Sequence, residues 1–217
     1  DFIVARRRDE VNAIECKWNP GAFDSSALRL FRSYYPNGRN FLVTPSGVPV
    51  EKMTPAGMVA VGFDGRVIGE GKPSSEWHFH RDILQSRPDI HAVVHTHSPH
   101  ATALACLRED LPPFHYMIAI AGGDSVRCAP YALFGTEALS QHAVAALDGR
   151  KACLLANHGL IALGRDLDEA LSIAVEIESL CEQYLIARQV GKPALLSADD
   201  MRAVIDKFQN YGRNAQA

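Results

Sequence analysis

The sequence predicts an α/β fold in which a mixed, largely antiparallel central sheet is flanked by helices as a three-layer α/β/α arrangement. Short apolar runs typical of strands alternate with segments of helical periodicity. The alternation is irregular and includes hairpin signals, which favours antiparallel pairing over a doubly wound parallel sheet. With 217 residues, no internal repeat and no linker, we expect one domain over residues 1–217.

The first half of the chain is predicted to contain both element types. Apolar positions at Val4, Val11, Ala13 and Ile14 among charges predict an amphipathic helix over 4–16. Strands are expected at 27–31, 41–43, 58–63 and 67–68, the last two joined by a turn at 64–65. A helix over about 76–85, a strand over 92–97 and a helix over 98–107 complete this half.

The second half continues the pattern with clearer periodicity. A helix is predicted over 137–146, then neighbouring strands at 153–156 and 160–163, and a last helix over 197–208. Apolar residues from Leu167 to Leu185 recur every three to four positions, which predicts a long amphipathic helix.

Composition excludes several function classes. A net charge of -3 with 22% charged residues gives no basic surface for nucleic acid or anionic membranes. No apolar run approaches the roughly 18 residues of a membrane span, and we expect no signal peptide. The five cysteines are scattered and never in C-x-x-C spacing, which is typical of free thiols in a reducing cytoplasm. Zinc held by paired thiolates is therefore not expected.

Three histidines stand at the ends of predicted strands. His95 and His97 are spaced i, i+2, so an extended backbone projects both to one face. His158 ends another strand and precedes Gly159, which permits close approach of backbone or ligand. Three histidines and an open position are one standard zinc site, and Glu76 at a helix start could serve as base or fourth ligand. The alternative is that each histidine is a hydrogen-bonded structural residue and Glu76 an exposed helix residue.

The sequence also contains a candidate phosphate-binding site. Ser74 and Ser75 precede a helix whose free N–H groups attract anions. The Ser46-Gly47 turn offers a hydroxyl and an unhindered N–H. Helix capping and turn formation explain the same residues equally well.

Five motifs occur together and in order along the chain. They are Pro-Ser-Ser-Glu-Trp at 73–77, His-Thr-His at 95–97, His-Tyr-Met-Ile-Ala at 115–119, Cys-Ala-Pro-Tyr at 128–131 and Asn-His-Gly-Leu at 157–160. Through them the sequence resembles the class II aldolase/adducin family, and most closely its branch that cleaves L-fuculose 1-phosphate. The resemblance covers about residues 44–212.

The resemblance implies a zinc-dependent enzyme, with Mn²⁺ or Co²⁺ as alternative metals. The implied metal ligands are His95, His97 and His158. Glu76 would move a proton on the carbon that becomes an enediolate during reversible cleavage of a ketose 1-phosphate to dihydroxyacetone phosphate and an aldehyde. Tyr116, reaching the site of a neighbouring subunit, and Tyr211 would handle the proton of the aldehyde oxygen. The family implies a homotetramer with its sites between subunits.

One segment departs from the family pattern. Asp24 and Ser25 stand where a Gly-Asn-x-Ser phosphate loop is expected, so Ser25 replaces an asparagine and Asp24 adds a negative charge. Substrate preference is therefore open among a sugar phosphate, a non-phosphorylated hydroxy-keto compound, a pentulose phosphate undergoing 4-epimerisation, and a keto acid undergoing decarboxylation. A non-enzymatic scaffold, as in the adducin branch, predicts lost metal ligands, whereas all three are present.

Overall fold

The computed structural model describes residues 2–7, 10–16, 40–43, 60–68 and 73–211. Strands β1 (Phe2–Arg7) and β2 (Glu10–Cys16) pair antiparallel, and β3 (Asn40–Val43) lies parallel to β2. The predicted helix over 4–16 is therefore wrong, because β-branched residues such as Val4, Val11 and Ile14 favour extended backbone. The strand at 41–43 is confirmed, and that at 27–31 lies outside the described residues.

A short hairpin precedes the first helix. Strands β4 (Ala60–Val61) and β5 (Val67–Ile68) pair antiparallel. The Asp64-Gly65 turn is confirmed: Gly65 has φ +81°, and its N–H donates to the carbonyl of Gly62 over 2.9 Å. Glycine adopts this left-handed conformation more readily than any other residue.

The central sheet has four strands, in the order β6-β9-β8-β7. They are β6 (Ala92–Thr96), β7 (Arg127–Ala129), β8 (Ala152–Leu155) and β9 (Gly159–Gly164). The β6–β9 and β9–β8 pairs are antiparallel and the β8–β7 pair is parallel. The predicted mixed sheet is confirmed, and β7 is a strand that the sequence interpretation missed.

The helices match the predicted segments closely. They are α1 (Trp77–Ser86), α2 (Pro99–Leu107), α3 (Glu137–Ala146), α4 (Leu167–Val190) and α5 (Ala198–Tyr211), with a 3₁₀ helix over Tyr116–Ala121. The expected serine cap of α1 is not formed. Its N-cap residue is Glu76, which makes no side-chain cap bond, and the Ser74 hydroxyl accepts from the Glu76 N–H instead.

The helices bury two apolar clusters on opposite faces of the central sheet. Ala92, Val94 and Leu160 face α2, α4 and α5, whereas Val93 and Ile161 face α1 and α3. The alternation of side chains along a strand produces this division. His95, two residues after Val93, consequently lies on the α1 side. The predicted three-layer arrangement is confirmed.

Two further expectations concern the thiols and the membrane. Cys106, Cys128, Cys153 and Cys181 are free thiols, so none of these four described cysteines forms a disulfide. Among the described residues, no helix combines the length and apolarity that crossing a bilayer requires.

The carboxylate of Glu169, where β9 meets α4, is expected to make part of the free energy of unfolding sensitive to acid. Its carboxylate accepts from Lys151 Nζ over 2.7 Å and from the Arg165 N–H over 2.8 Å. Burial raises the pKa of Glu169, but Lys151 and Arg165 outweigh it and lower the pKa to about 2. A depressed carboxyl pKa stabilises the fold above the unfolded-state value near 4.5 and loses that contribution as pH falls toward 2.

We expect Glu169→Gln to lower the free energy of unfolding by about 1–2 kcal/mol at pH 7, after solvent screening is allowed for. The difference from the wild type should shrink below pH 4.5 and vanish near pH 2. Urea unfolding across this pH range measures it, with Glu176→Gln on the same helix as the control. A difference that does not change with pH would contradict the assignment.

Candidate metal site

Four side chains from three segments of the chain converge at one edge of the central sheet. Glu76, His95, His97 and His158 each offer a ligand atom, and these atoms all lie within 4.8 Å of one another. Nε2 of His95 lies 3.0 Å from Nε2 of His97 and 3.3 Å from Oε2 of Glu76. Nε2 of His158 lies 2.8 Å from Oε1 of Glu76. The structure thus brings together all the sequence-predicted ligands and the predicted base.

The secondary structure explains this convergence. β6 carries His95, and His97 follows its last residue. His158 lies in the tight turn between β8 and β9, where its N–H donates to the Leu155 carbonyl over 3.0 Å. That turn needs Asn157 in the left-handed region at φ +55°, a conformation that asparagine adopts more readily than most residues. Glu76 is the N-cap residue of α1, and its carboxylate faces the ring of His95 on β6.

His95 is held in one tautomer by its surroundings. Its Nδ1 lies 3.0 Å from the Leu160 carbonyl oxygen, and its ring packs edge-on against Phe79 with centroids 5.3 Å apart. Because a carbonyl oxygen can only accept, Nδ1 must carry a proton. In neutral imidazole Nε2 is then a bare acceptor, which is the form that binds metals.

The inward-facing imidazole nitrogens and carboxylate oxygens form a site that favours a positive charge. Nε2 of His95 faces the Glu76 carboxylate and the His97 ring at hydrogen-bond distances. Acceptor atoms this close repel one another unless a proton or a cation lies between them. Oε1 of Glu76 is buried and, despite its 2.8 Å contact with His158, accepts no hydrogen bond of normal geometry from the described residues.

Electrostatics favour the metal-binding forms of Glu76 and His97. Burial raises the pKa of Glu76, but the imidazoles of His158 and His95 outweigh it and hold that pKa far below the usual carboxyl range. Burial, with the neighbouring His95 and His158, lowers the pKa of His97. At neutral pH Glu76 is therefore an anion and His97 a neutral imidazole, which are the protonation states that metal ligation requires.

The donor set fits a small divalent cation. Two donors of a tetrahedral zinc ion lie about 3.3 Å apart, and the closest contacts between donor atoms here are 2.8, 3.0 and 3.3 Å. Three imidazoles and a carboxylate suit Zn²⁺ better than Mg²⁺ or Ca²⁺, which prefer oxygen ligands. The side chains of His95, His158 and Glu76 are 8%, 12% and 15% exposed, whereas His97 is exposed and marks the open side.

Among the described side chains, those of Ser74, Ser75 and Tyr116 do not belong to this group. Ser74 and Ser75 are exposed just before α1. Tyr116 is 51% exposed, and its ring contacts His115 with centroids 4.8 Å apart. Only the backbone of Tyr211, at the end of α5, is described. The predicted phosphate residues Ser25, Ser46 and Gly47, together with Asp24, lie outside the described residues.

Comparison with known proteins agrees with the motif pattern. The family described as Class II Aldolase and Adducin N-terminal domain matches residues 25–185. This chain belongs to the class II aldolase/adducin family. A 5-methylthioribulose-1-phosphate/5-deoxyribulose-1-phosphate aldolase of Rhodospirillum rubrum is 53% identical over 179 residues, or 82% of this chain and 81% of that protein.

Two further relatives concern L-fuculose phosphates. The L-fuculose phosphate aldolase of Escherichia coli K12 is 49% identical over 173 residues, covering 79% of this chain and 80% of that protein. A solved structure of an L-fuculose 1-phosphate aldolase superposes with a TM-score of 0.67 at 45% identity, over 70% of this chain and 71% of that one. The prediction of an enzyme of this family is confirmed. L-fuculose 1-phosphate is not confirmed as the particular substrate, because the Rhodospirillum relative is named for other ketose 1-phosphates.

Proposed function

We propose that this protein is a zinc-dependent aldolase that reversibly cleaves a ketose 1-phosphate to dihydroxyacetone phosphate and an aldehyde. The observation that carries the proposal is the convergence of His95, His97 and His158 with Glu76 at one sheet edge. The family supports aldol chemistry, and relatives at 53% and 49% identity are named as aldolases of ketose phosphates.

In this proposal the three histidines hold the metal and Glu76 moves the proton. A bound divalent cation supplies Lewis-acid polarisation of the substrate carbonyl and electrostatic stabilisation of the enediolate. In cleavage the hydroxyl that becomes the aldehyde oxygen gives up its proton, the carbon–carbon bond breaks and the aldehyde leaves. Glu76, after taking up a proton from solvent, delivers it to the carbon that keeps the electron pair. In the reverse direction the Glu76 carboxylate removes that proton.

Two tyrosines that are not metal ligands are proposed to complete the reaction. Tyr116 lies on the surface with half of its area exposed, which is compatible with insertion into a neighbouring subunit's site. Tyr131, Leu133 and Phe134 form an exposed apolar stretch between β7 and α3 that an oligomer would bury. We therefore propose a homotetramer in which Tyr116 and Tyr211 protonate or deprotonate the aldehyde oxygen. The free thiols support a cytoplasmic location.

Substrate phosphate is proposed to bind beside α1. Ser74 and Ser75 are exposed there, and the first turn of α1 has no side-chain cap bond. Backbone N–H groups at a helix start attract anions. Ser25, Ser46 and Gly47 would complete this pocket, and Asp24 would oppose a phosphate unless it is turned away or paired.

The proposal is tested with three ketose 1-phosphates: those of 5-deoxyribulose, 5-methylthioribulose and L-fuculose. We expect dihydroxyacetone phosphate from at least one of them, detected by coupled reduction to glycerol 3-phosphate. Removing metal with EDTA should lower kcat by more than about 100-fold, and Zn²⁺ should restore it, because enediolate stabilisation is lost with the cation. Light scattering on the same sample tests the tetramer.

Particular outcomes would overturn the proposal. Protein purified without chelator that contains no divalent metal, or turnover that survives EDTA, would remove the metal mechanism. Epimerised pentulose phosphate without dihydroxyacetone phosphate would identify an epimerase, and carbon dioxide released from a keto acid would identify a decarboxylase.

A further inference from the structure

A carboxylate on α4 caps the helix that directly follows the metal-site strand. Oε1 of Glu178 accepts from the His100 N–H over 2.9 Å, and Oε2 accepts from the Ala101 N–H over 2.8 Å. Nδ1 of His100 also lies 2.9 Å from Oε1. Glu178 therefore holds the first turn of α2 from 77 and 78 residues away in the sequence.

Among the residues that the structure describes, no other group caps these two N–H groups of α2. Its N-cap residue Ser98 makes no side-chain cap bond, Pro99 has no N–H, and the Thr102 N–H donates to the Ser98 carbonyl. Burial raises the pKa of Glu178, but the N–H groups of His100 and Ala101 and the Ser98 hydroxyl outweigh it and lower that pKa. An ionised carboxylate is the group that the positive end of a helix favours.

The capped turn is continuous with the metal-site strand. Strand alternation turns His95 and His97 toward α1, and Thr96 and Ser98 toward α4. The Thr96 hydroxyl donates to the Ser98 hydroxyl over 3.2 Å, and Ser98 in turn contacts Glu178. These contacts lie along the back of the segment whose front carries the candidate ligand histidines.

His97 depends on this segment more than the other two histidines do. The ring of His95 is fixed by the Leu160 carbonyl, and His158 lies in a hydrogen-bonded turn. Within the described part of the chain, the ring of His97 makes one hydrogen-bond contact, to His95 itself. Its direction is therefore set by the backbone between the end of β6 and the start of α2.

We propose that Glu178 is a positioning residue for His97, acting through the Ser98 hydroxyl and the capped first turn of α2. The inference rests on the proposed metal site and adds a residue that contacts neither metal nor substrate. It accounts for a charged side chain at a position of α4 flanked by the buried Ala174 and Cys181.

Glu178→Gln tests the proposal on the full chain. An amide keeps the shape but can accept at only one atom, so its NH₂ group would face a backbone N–H. We expect the folded variant, checked by circular dichroism, to bind Zn²⁺ about tenfold more weakly in competition with a chromogenic chelator, the range found for residues that orient metal ligands. The visible spectrum of bound Co²⁺ should also change, because one imidazole is misaligned.

Glu169→Gln is the matched control. Glu169 lies on the same helix and also accepts a backbone N–H, but at the opposite end of β9 from the metal site. We expect it to lower thermal stability without changing the Zn²⁺ dissociation constant or the Co²⁺ spectrum. A lower Tm in Glu178→Gln with unchanged Zn²⁺ affinity and Co²⁺ spectrum would show a purely structural role and overturn the inference.

Three further outcomes are decisive. Should Glu178→Gln not fold, Ser98→Ala takes its place, since Ser98 forms no cap bond of its own; we expect a several-fold weaker Zn²⁺ complex, and wild-type affinity would overturn the proposal. A wild-type protein that binds no Zn²⁺ would overturn the metal site itself. Wild-type binding with an unaffected variant would overturn only the role of Glu178.

Discussion

Glu76→Gln is expected to abolish turnover while zinc remains bound to the three histidines. Glutamine has the shape of glutamate but cannot take or return a proton, and proton transfer by a positioned side chain contributes about 10²–10⁴-fold to rate. We therefore expect kcat to fall by that factor. The Zn²⁺ dissociation constant should rise by less than about tenfold, because His95, His97 and His158 remain.

Hydrogen exchange isolates this step from carbon–carbon bond cleavage. Wild-type protein in deuterated water should exchange one hydrogen of dihydroxyacetone phosphate stereospecifically, measured by proton NMR without any aldehyde present. Glu76→Gln should stop this exchange, and Glu169→Gln, at the opposite end of β9 from the metal site, should retain it. Full exchange and turnover in Glu76→Gln would refute Glu76 as the base.

The shared face of His95 and His97 could be predicted from the sequence because strand alternation is a local rule. His95 and His97 share a face in any extended backbone, and the structure places both on the side that packs against α1. Joining them to His158 and Glu76 required the family motifs, since no local rule relates a turn after β8 to the start of α1. Their meeting is a property of the sheet order, which brings β9 beside β6.

The residues that hold the site in place were not predicted. Glu178 becomes interpretable only when α4 is seen to cross the start of α2. A signal was present, because Glu178 falls four residues after Ala174 and three before Cys181, where the helical period calls for an apolar side chain. A carboxylate at such a position needs a partner, since an unpaired buried charge is costly.

Two errors in the predicted secondary structure have local causes. The seven-position spacing of Val4 and Val11 fits one face of a helix. It also fits two separate strands, which their β-branched side chains favour. β7 was missed because only three residues, Arg127–Ala129, pair with the sheet. Three residues are too few to establish a period of two. Neither segment supplies one of the four converging ligand atoms, so the predicted metal group was unaffected.

Gly159→Ala is expected to damage the fold and the metal site together. A Cβ at Gly159 would lie 2.3 Å from the Thr96 carbonyl oxygen and 3.0 Å from Cδ2 of His97. The Thr96 oxygen cannot move aside, because β6 and β9 are paired through Thr96 and Leu160. Overpacking against backbone costs about 1–3 kcal/mol, and any relaxation must displace the ring of His97.

We expect urea unfolding to show that loss of stability and Zn²⁺ affinity to fall more than about tenfold, since a ligand ring is displaced. Gly191→Ala is the matched control. A Cβ there meets nothing within 4 Å, and the backbone is extended at φ 177°. It should leave stability and Zn²⁺ affinity unchanged. Wild-type Zn²⁺ affinity in Gly159→Ala would mean that the strand can separate from His97 without disturbing the ligand, and that the glycine serves β6–β9 pairing alone.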